Sequence, residues 1–246
     1  MHDPANTDPV SEAPLMETRY IKPVNSQPSI YWFALSLAMI LAIGITSFML
    51  PTINNVGLSV LLLFALTFSV IAFKQMNAPI LTFTLSFMHF QYHSAEGGWS
   101  IRWQAIQQLG LTELPTTEGW YQTLPWMGVK LKDYDAFLTS VCPRVASKML
   151  IEQRGLLFLA VKRTPNSPHA IEDMLFDDTP YTTQKGVVLK GLIAMLANRM
   201  RYNRELLGFD FFISDDLLDR PLGEFIGLAR RYLAQANDTP TFKQKA

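Results

Sequence analysis

The chain contains a single cysteine, Cys142, in 246 residues. That excludes an internal disulfide and the usual multi-cysteine metal sites, and it suits a reducing compartment. Cys142 reads as a small buried apolar residue rather than a reactive thiol. No phosphate-cradling glycine loop, nucleophile elbow, His-Glu-x-x-His or Cys-x-x-Cys is present, so the common signatures of nucleotide, ester and metal chemistry are missing. Neither sign of charge predominates: 21 Lys+Arg face 21 Asp+Glu, without the basic footprint that a nucleic-acid partner requires. The most informative absence is local. Residues 23–73, between Lys22 and Lys74, hold no Asp, Glu, Lys, Arg or His.

That uncharged stretch divides at Pro51-Thr52-Ile53-Asn54-Asn55. It predicts two helices, about 30–50 and 54–73, each close to the ~20 residues needed to cross ~30 Å of hydrocarbon. Residues 30–73 are therefore read as a transmembrane hairpin, with Tyr31 and Trp32 at an interfacial aromatic belt. The polar residues ahead of the run, its length and the lack of a small-residue cleavage site argue against a removed signal peptide. Arg19, Lys22 and Lys74 flank the outer ends while the turn carries no Lys or Arg. The positive-inside rule then gives a multi-pass inner-membrane protein with both termini cytoplasmic. Ala34, Ala38 and Ala42 form a small-residue stripe at four-residue spacing, fit for packing on the second helix or for a homo-oligomer contact. Residues 1–29 are expected to be a disordered cytoplasmic tail, and 237–246 a frayed end.

Residues 74–236 read as one soluble α+β domain, β-rich over 80–132 and mostly helical over 133–236. Alternation puts Leu81, Phe83, Leu85 and Phe87 on one strand face. Strand character continues through Met88–Tyr92, Glu96-Gly97-Gly98 is a turn, and Trp99–Trp103 returns as the second arm of a hairpin. Two more strands, Gly119–Leu124 and Met127–Lys132, are expected on either side of Pro125. From Asp133, the spacing of Phe137, Leu138, Val141, Val145 and Met149 is helical, with Pro143 kinking or dividing the helix and Arg154-Gly155 stopping it. Leu156–Val161 reads as a strand or a continuing apolar segment. Gly186–Leu207 is the longest later helix, a core helix rather than a third span because Lys190 lies inside it. A last strand follows at Phe209–Ile213, and a terminal amphipathic helix carries Leu222, Phe225, Ile226, Ala229, Tyr232 and Leu233.

Several residues invite chemistry. His89 and His93 would share a metal ion on a helix, but on a strand four steps of ~3.3 Å hold them ~13 Å apart. Asp177, Asp178, Asp215, Asp216 and Asp219 offer oxygen ligands or an acid–base pair, yet Asp177-Asp178-Thr179-Pro180 is turn chemistry and Asp219 precedes a helix start. Trp99, Trp103, Trp120 and Trp126 read as core and sheet packing rather than a ligand cage. Arg199, Arg201 and Arg204, with Lys190, are the candidate basic face for anionic lipid or an acidic partner; the alternative is simple complementation of the helix dipole. No catalytic residue, metal ligand or cofactor is assigned.

Two membrane helices followed by Gly98-Trp99-Ser100-Ile101-Arg102-Trp103-Gln104-Ala105-Ile106 resemble bacterial membrane proteins with pleckstrin-homology-like domains, with Trp103 and Ile106 where a strand turns over the sheet. His89-Phe90-Gln91-Tyr92-His93, Gly97-Gly98-Trp99 and Leu124-Pro125-Trp126 resemble a domain-of-unknown-function family of small bacterial inner-membrane proteins. The resemblance implies a fold and a location, and no activity. The expectation is a membrane-anchored, non-enzymatic protein- or lipid-interaction module. The alternative is a membrane-bound hydrolase or transferase acting on lipid or envelope intermediates. The expected partners are the bilayer, another membrane or cytoplasmic protein, or a second copy of the chain.

Overall fold

The computed structural model describes residues 16–22, 29–49, 55–76, 81–115, 119–164 and 170–238. Its first strand is short: β1 (Arg19–Ile21) pairs antiparallel with β2 (Phe83–Leu85), and between the two lie the helices α1 (Ser29–Met49) and α2 (Asn55–Met76). β3 (His89–Ser94) and β4 (Gly97–Arg102) complete a four-stranded meander in the order β1-β2-β3-β4. Phe90 and Tyr92 turn inward from β3, and Trp99 and Ile101 from β4, while His89, Gln91 and His93 face outward. This is the period-two pattern of a sheet with one buried face.

A 3-10 turn at Trp103–Ala105 leads into β5 (Ile106–Pro115), which pairs with β6 (Tyr121–Leu131). The helical part follows as α3 (Asp135–Ser140), α4 (Pro143–Glu152), α5 (Arg154–Arg163) and α6 (Ile171–Leu175). A small ribbon, β7 (Tyr181–Thr182) with β8 (Val188–Leu189), precedes α7 (Gly191–Leu207). β9 (Phe211–Ser214) returns to β6 to make a three-stranded sheet, β5-β6-β9, and α8 (Leu222–Asp238) closes the fold.

The two sheets and α8 share one aromatic core. Trp103 is fully buried, its ring stacked on Phe90 (5.1 Å) and Tyr232 (5.6 Å), and its Nε1 donates to the Ser86 carbonyl at 2.7 Å. Phe211 stacks on Phe137 at 4.6 Å and meets Trp99 edge-on. Such offset and edge contacts suit the ring quadrupoles. Gly110 and Gly128 face each other across β5 and β6, and the Phe209 ring lies over both where side chains would otherwise project. A methyl group at Gly98 would collide with the Tyr92 carbonyl oxygen. Gly98→Ala is therefore expected to destabilise the domain by about 1–3 kcal/mol, because the β3–β4 hairpin must open to admit it; a thermal melt of the full chain in mild detergent reads the loss.

Several expectations need correction. Arg19–Ile21 is an edge strand rather than part of a tail, held also by Tyr232 Oη donating to the Glu17 carbonyl and the Met16 N–H donating to Gln235 Oε1. Residues 1–15 and 23–28 of that tail, the turn 51–54 and the end 239–246 lie outside the described residues. The pair of strands around Pro125 is one strand, β6, because Pro125 sits at a bulge between Leu111↔Met127 and Glu113↔Thr123 where no ladder bond is needed. Pro143 divides the helical stretch, as one of the two expected outcomes, by opening α4 after α3 ends at Ser140, and Leu156–Val161 is helix, in α5, rather than a strand. α7 begins only at Gly191, since Val188 and Leu189 are taken by the ribbon.

α1 and α2 pack through Trp32, stacked on Phe68 at 6.1 Å, and through a 2.6 Å hydrogen bond between the Ser36 and Ser69 hydroxyls. Ala65 and Ala72 are buried, while Phe33, Leu37, Leu41, Leu62, Leu63 and Leu66 are exposed. Ala34, Ala38 and Ala42 are exposed too, so the alanine stripe is not the α1–α2 contact; Trp32 and Ser36 occupy that face. Side chains are described for 31–47 of α1 and for 56–57 and 59–73 of α2. Among the described residues no helix is long and apolar enough to cross a membrane.

Candidate functional site

α7 is buried on nearly all sides, with Ala194, Ala197, Asn198, Arg199, Met200, Tyr202, Asn203 and Leu207 all inaccessible. Gly208, at φ 77°, ends the helix in the left-handed conformation that glycine adopts without strain, and turns the chain back beneath Arg204. The turn delivers Asp210, which is fully buried. Its carboxylate accepts hydrogen bonds from Arg204 Nε (2.5 Å) and Nη2 (2.6 Å), the Leu131 N–H (2.6 Å) and the Tyr134 hydroxyl (2.9 Å). Arg204 Nη2 also donates to the Leu131 carbonyl, and its guanidinium lies 5.0 Å over the Tyr134 ring. Burial first, then the Asp210 charge, pushes the Tyr134 hydroxyl far up, so it stays protonated as a donor. This clamp joins the end of β6, the approach to α3, the end of α7 and the entry to β9.

Above the clamp opens a polar cavity of about 200 Å³ lined by Lys132, Asp133, Tyr134, Tyr181, Gln184, Arg201 and Arg204. Tyr181 stacks on Tyr134 at 6.1 Å, so the β7–β8 ribbon forms one wall. A second carboxylate lies nearby. Asp177 accepts from the Thr179 N–H and hydroxyl and from the Tyr202 hydroxyl at 2.7 Å, with Arg201 at 3.5 Å. Burial raises the Asp177 carboxyl, but the Thr179 and Tyr202 hydrogen bonds and the Arg201 charge outweigh it and hold the group below the usual carboxylate range. Because its folded value is depressed, the stabilisation is complete above the ordinary carboxylate value and is lost as pH falls through the folded one. Asp177→Asn is expected to lower stability by about 1 kcal/mol at neutral pH, with the difference from the parent shrinking as the pH falls below the ordinary carboxylate value of about 3.9; denaturant titrations at neutral and acid pH check this.

The basic face expected from Lys190, Arg199, Arg201 and Arg204 does not form. At about 100° per residue, Arg199 and Arg201 point roughly 200° apart around α7. Arg199 is turned inside, donating one hydrogen bond to the Leu175 carbonyl, with Nε and Nη1 unpartnered among the described residues; burial pulls its guanidinium down to about 10. Arg204 is neutralised by Asp210, and Arg201 pairs with Asp177. Lys190 is exposed at the start of the helix.

The other candidates are dispersed. His89 and His93 project from the outer face of β3, and His93 Nε2 lies 3.0 Å from the Thr84 hydroxyl. Burial and the Arg102 charge lower the His89 imidazole. Asp216 accepts from Ser214, and Asp219 pairs with Arg220 rather than capping α8. Among the described residues no three His, Cys, Asp or Glu side chains converge as a metal site. Trp99 and Trp103 are core, whereas Trp120 is exposed at the β5–β6 tip, against the packing expected of it. A cavity of about 40 Å³ between the sheets, lined by Phe83, Trp99, Trp126, Lys148 and Gln153 among others, has room for water and little else.

Sequence reasoning missed Asp210, Tyr134, Tyr181 and Lys132. Only Gly208, a helix stop followed closely by an acid, carried a signal for the clamp. The recess offers hydrogen-bond donors and cations together with the Asp133 carboxylate, which accepts from the Asp135 N–H at 3.2 Å.

Residues 83–235 match the profile of a family described as protein of unknown function, DUF2982. The match runs from the first residue of β2 into α8. No curated protein and no solved structure matches the chain.

Proposed function

The chain belongs to the DUF2982 family of proteins of unknown function, and from that starting point we propose that it is a membrane-anchored, non-enzymatic interaction module. α1 and α2 form a transmembrane hairpin in the inner membrane, and both termini and the domain lie on the cytoplasmic side. The observation that carries this reading is the inverted polarity of the hairpin. Its hydroxyl pair, Ala65 and Ala72 are inside, and Leu, Ile, Val and Phe make up most of the outside, alongside the outward alanine stripe. In water that surface would be a severe aggregation liability; in hydrocarbon it is at equilibrium with its solvent. At 21 and 22 residues, running beyond the stretches with described side chains, the helices are about 32 and 33 Å long, matched to the ~30 Å hydrocarbon core.

The pairing of β1 with β2 supports the topology, because the hairpin leaves and re-enters one sheet at neighbouring strands, which keeps both connections on one side of the membrane. The four-stranded and three-stranded meanders closed by α8 support the pleckstrin-homology-like resemblance. In that reading the hairpin replaces the first loop, and α3 to α7 are inserted before the last strand. Buried Trp103 and Ile106 fit the same picture.

Interaction is preferred to the hydrolase or transferase because Asp177 and Asp210 spend their lone pairs on structural donors. The polar recess beside Arg201 and Lys132 is where an acidic or hydrogen-bonding group of a partner would dock, and tethering raises the effective concentration of so modest a site. The outward alanine stripe is available for a second copy. Alkaline carbonate extraction of membranes tests the anchor. The full chain is expected in the pellet, and Leu41→Lys combined with Leu62→Lys is expected to release it, since each central lysine costs about 3 kcal/mol. Release of the parent chain would overturn the reading.

A further inference from the structure

We propose that the open face of α5 is a second membrane contact, with Phe158 and Leu159 in the bilayer interface and Arg154, Lys162 and Arg163 against anionic headgroups. This rests on the membrane-anchored reading above. α5 buries Leu156, Leu157 and Ala160, which fixes its other side outward. On that side Phe158 is 54% and Leu159 39% exposed, a cost in water unless something covers them. The charges beside them say what does. The ten residues of α5 include two arginines and a lysine and no acid, and the nearest preceding acid, Glu152, lies 4.0 Å from Lys148. Large apolar groups flanked by cations on one helix face are the chemistry of a helix lying in the plane of an anionic bilayer surface.

Location supports the same occupant. Gln153, immediately before α5, donates to the Phe212 carbonyl at 2.9 Å and lines the small inter-sheet cavity together with Phe83. Phe83 opens β2, and only residues 77–82 separate it from the end of α2, a connection of at most about 25 Å. α5 thus begins at the end of the domain from which the hairpin departs. The β5–β6 tip carries Trp120 and Tyr121, 55% and 66% exposed, residue types suited to the headgroup region.

The test uses the full chain in nanodiscs, with Cys142→Ser and one cysteine carrying an environment-sensitive fluorophore at Phe158→Cys, Phe87→Cys or Leu62→Cys. Phe87 lies in the β2–β3 turn, at the opposite end of the sheet. In phosphatidylglycerol discs, the label at 158 is expected to shift to the blue and be quenched by shallow spin-labelled lipid, and the label at 87 to do neither. Phosphatidylcholine discs, or Arg154→Gln with Lys162→Gln and Arg163→Gln, should weaken the signal at 158. Quenching at 62 with 158 behaving like 87 overturns the contact and leaves the anchor standing. Absence of quenching at 62 as well would overturn both.

Discussion

Asp210→Ala is expected to cost the domain about 3–5 kcal/mol, the range for removing one partner from a buried ion pair. The loss is large because four donors converge on that carboxylate. The substitution leaves the Arg204 guanidinium, the Leu131 N–H and the Tyr134 hydroxyl without their acceptor, and unsatisfied buried donors each carry a desolvation penalty of about 1–3 kcal/mol. Domains of this size have only about 5–15 kcal/mol in total, so the variant should be close to unfolding at 37 °C. Arg204→Met with Asp210→Leu should cost less than the two single changes summed, because no charge is then stranded. Denaturant unfolding of the full chain in mild detergent, followed by tryptophan fluorescence, measures both. Asp210→Ala within about 0.5 kcal/mol of the parent would mean that the clamp is not the joint described.

The second large effect is expected at Trp103. Trp103→Ala should cost about 3–5 kcal/mol, since it opens a cavity between β3 and α8 that neither element can collapse into. The ring lies between Phe90 and Tyr232, and its Nε1 holds the Ser86 carbonyl. Trp103→Phe keeps part of the stacking and gives up the hydrogen bond, so an intermediate loss is expected, with about 1 kcal/mol of it from that bond. If the two variants lost equally, the contribution of the stacked rings would be misjudged. Circular dichroism melts of both separate these outcomes.

How far these features can be read from the chain depends on how local their causes are. The run without charge announced the helical hairpin, because expelling every ionisable group from residues 23–73 leaves a mark that needs no partner to interpret. The alternation expected through Leu81, Phe83, Leu85 and Phe87 holds for Phe83 and Leu85, both buried on β2, and fails at Phe87, which is exposed in the turn to β3. β5 was not legible, since register shifts near Ile106 and Leu111 break the two-residue period that would have revealed it. β1 has three residues and one buried side chain, too few for a pattern.

The basic residues of α7 show the opposite limit. Their spacing looked like a charged helix end, yet the helix is enclosed and each arginine meets a different environment. Arg204 finds Asp210 only because Gly208 reverses the chain, and Arg201 finds Asp177 across 24 positions of sequence. Long-range pairings of this kind have no period and no motif. The exposed Phe158 and Leu159 were likewise hidden, since an apolar hexad reads as core until the fold decides which face is covered.

The hairpin is proposed to cross the bilayer with the domain at its cytoplasmic foot. Spheroplasts expressing Cys142→Ser chains with either Asn54→Cys or Phe176→Cys can be treated with a membrane-impermeant maleimide. Asn54→Cys, between α1 and α2 in the sequence, is predicted to be labelled in intact spheroplasts. Phe176→Cys, 72% exposed on the domain, should be labelled only after permeabilisation. Labelling of position 176 in intact spheroplasts, or protection of position 54 until the membrane is opened, would contradict the topology.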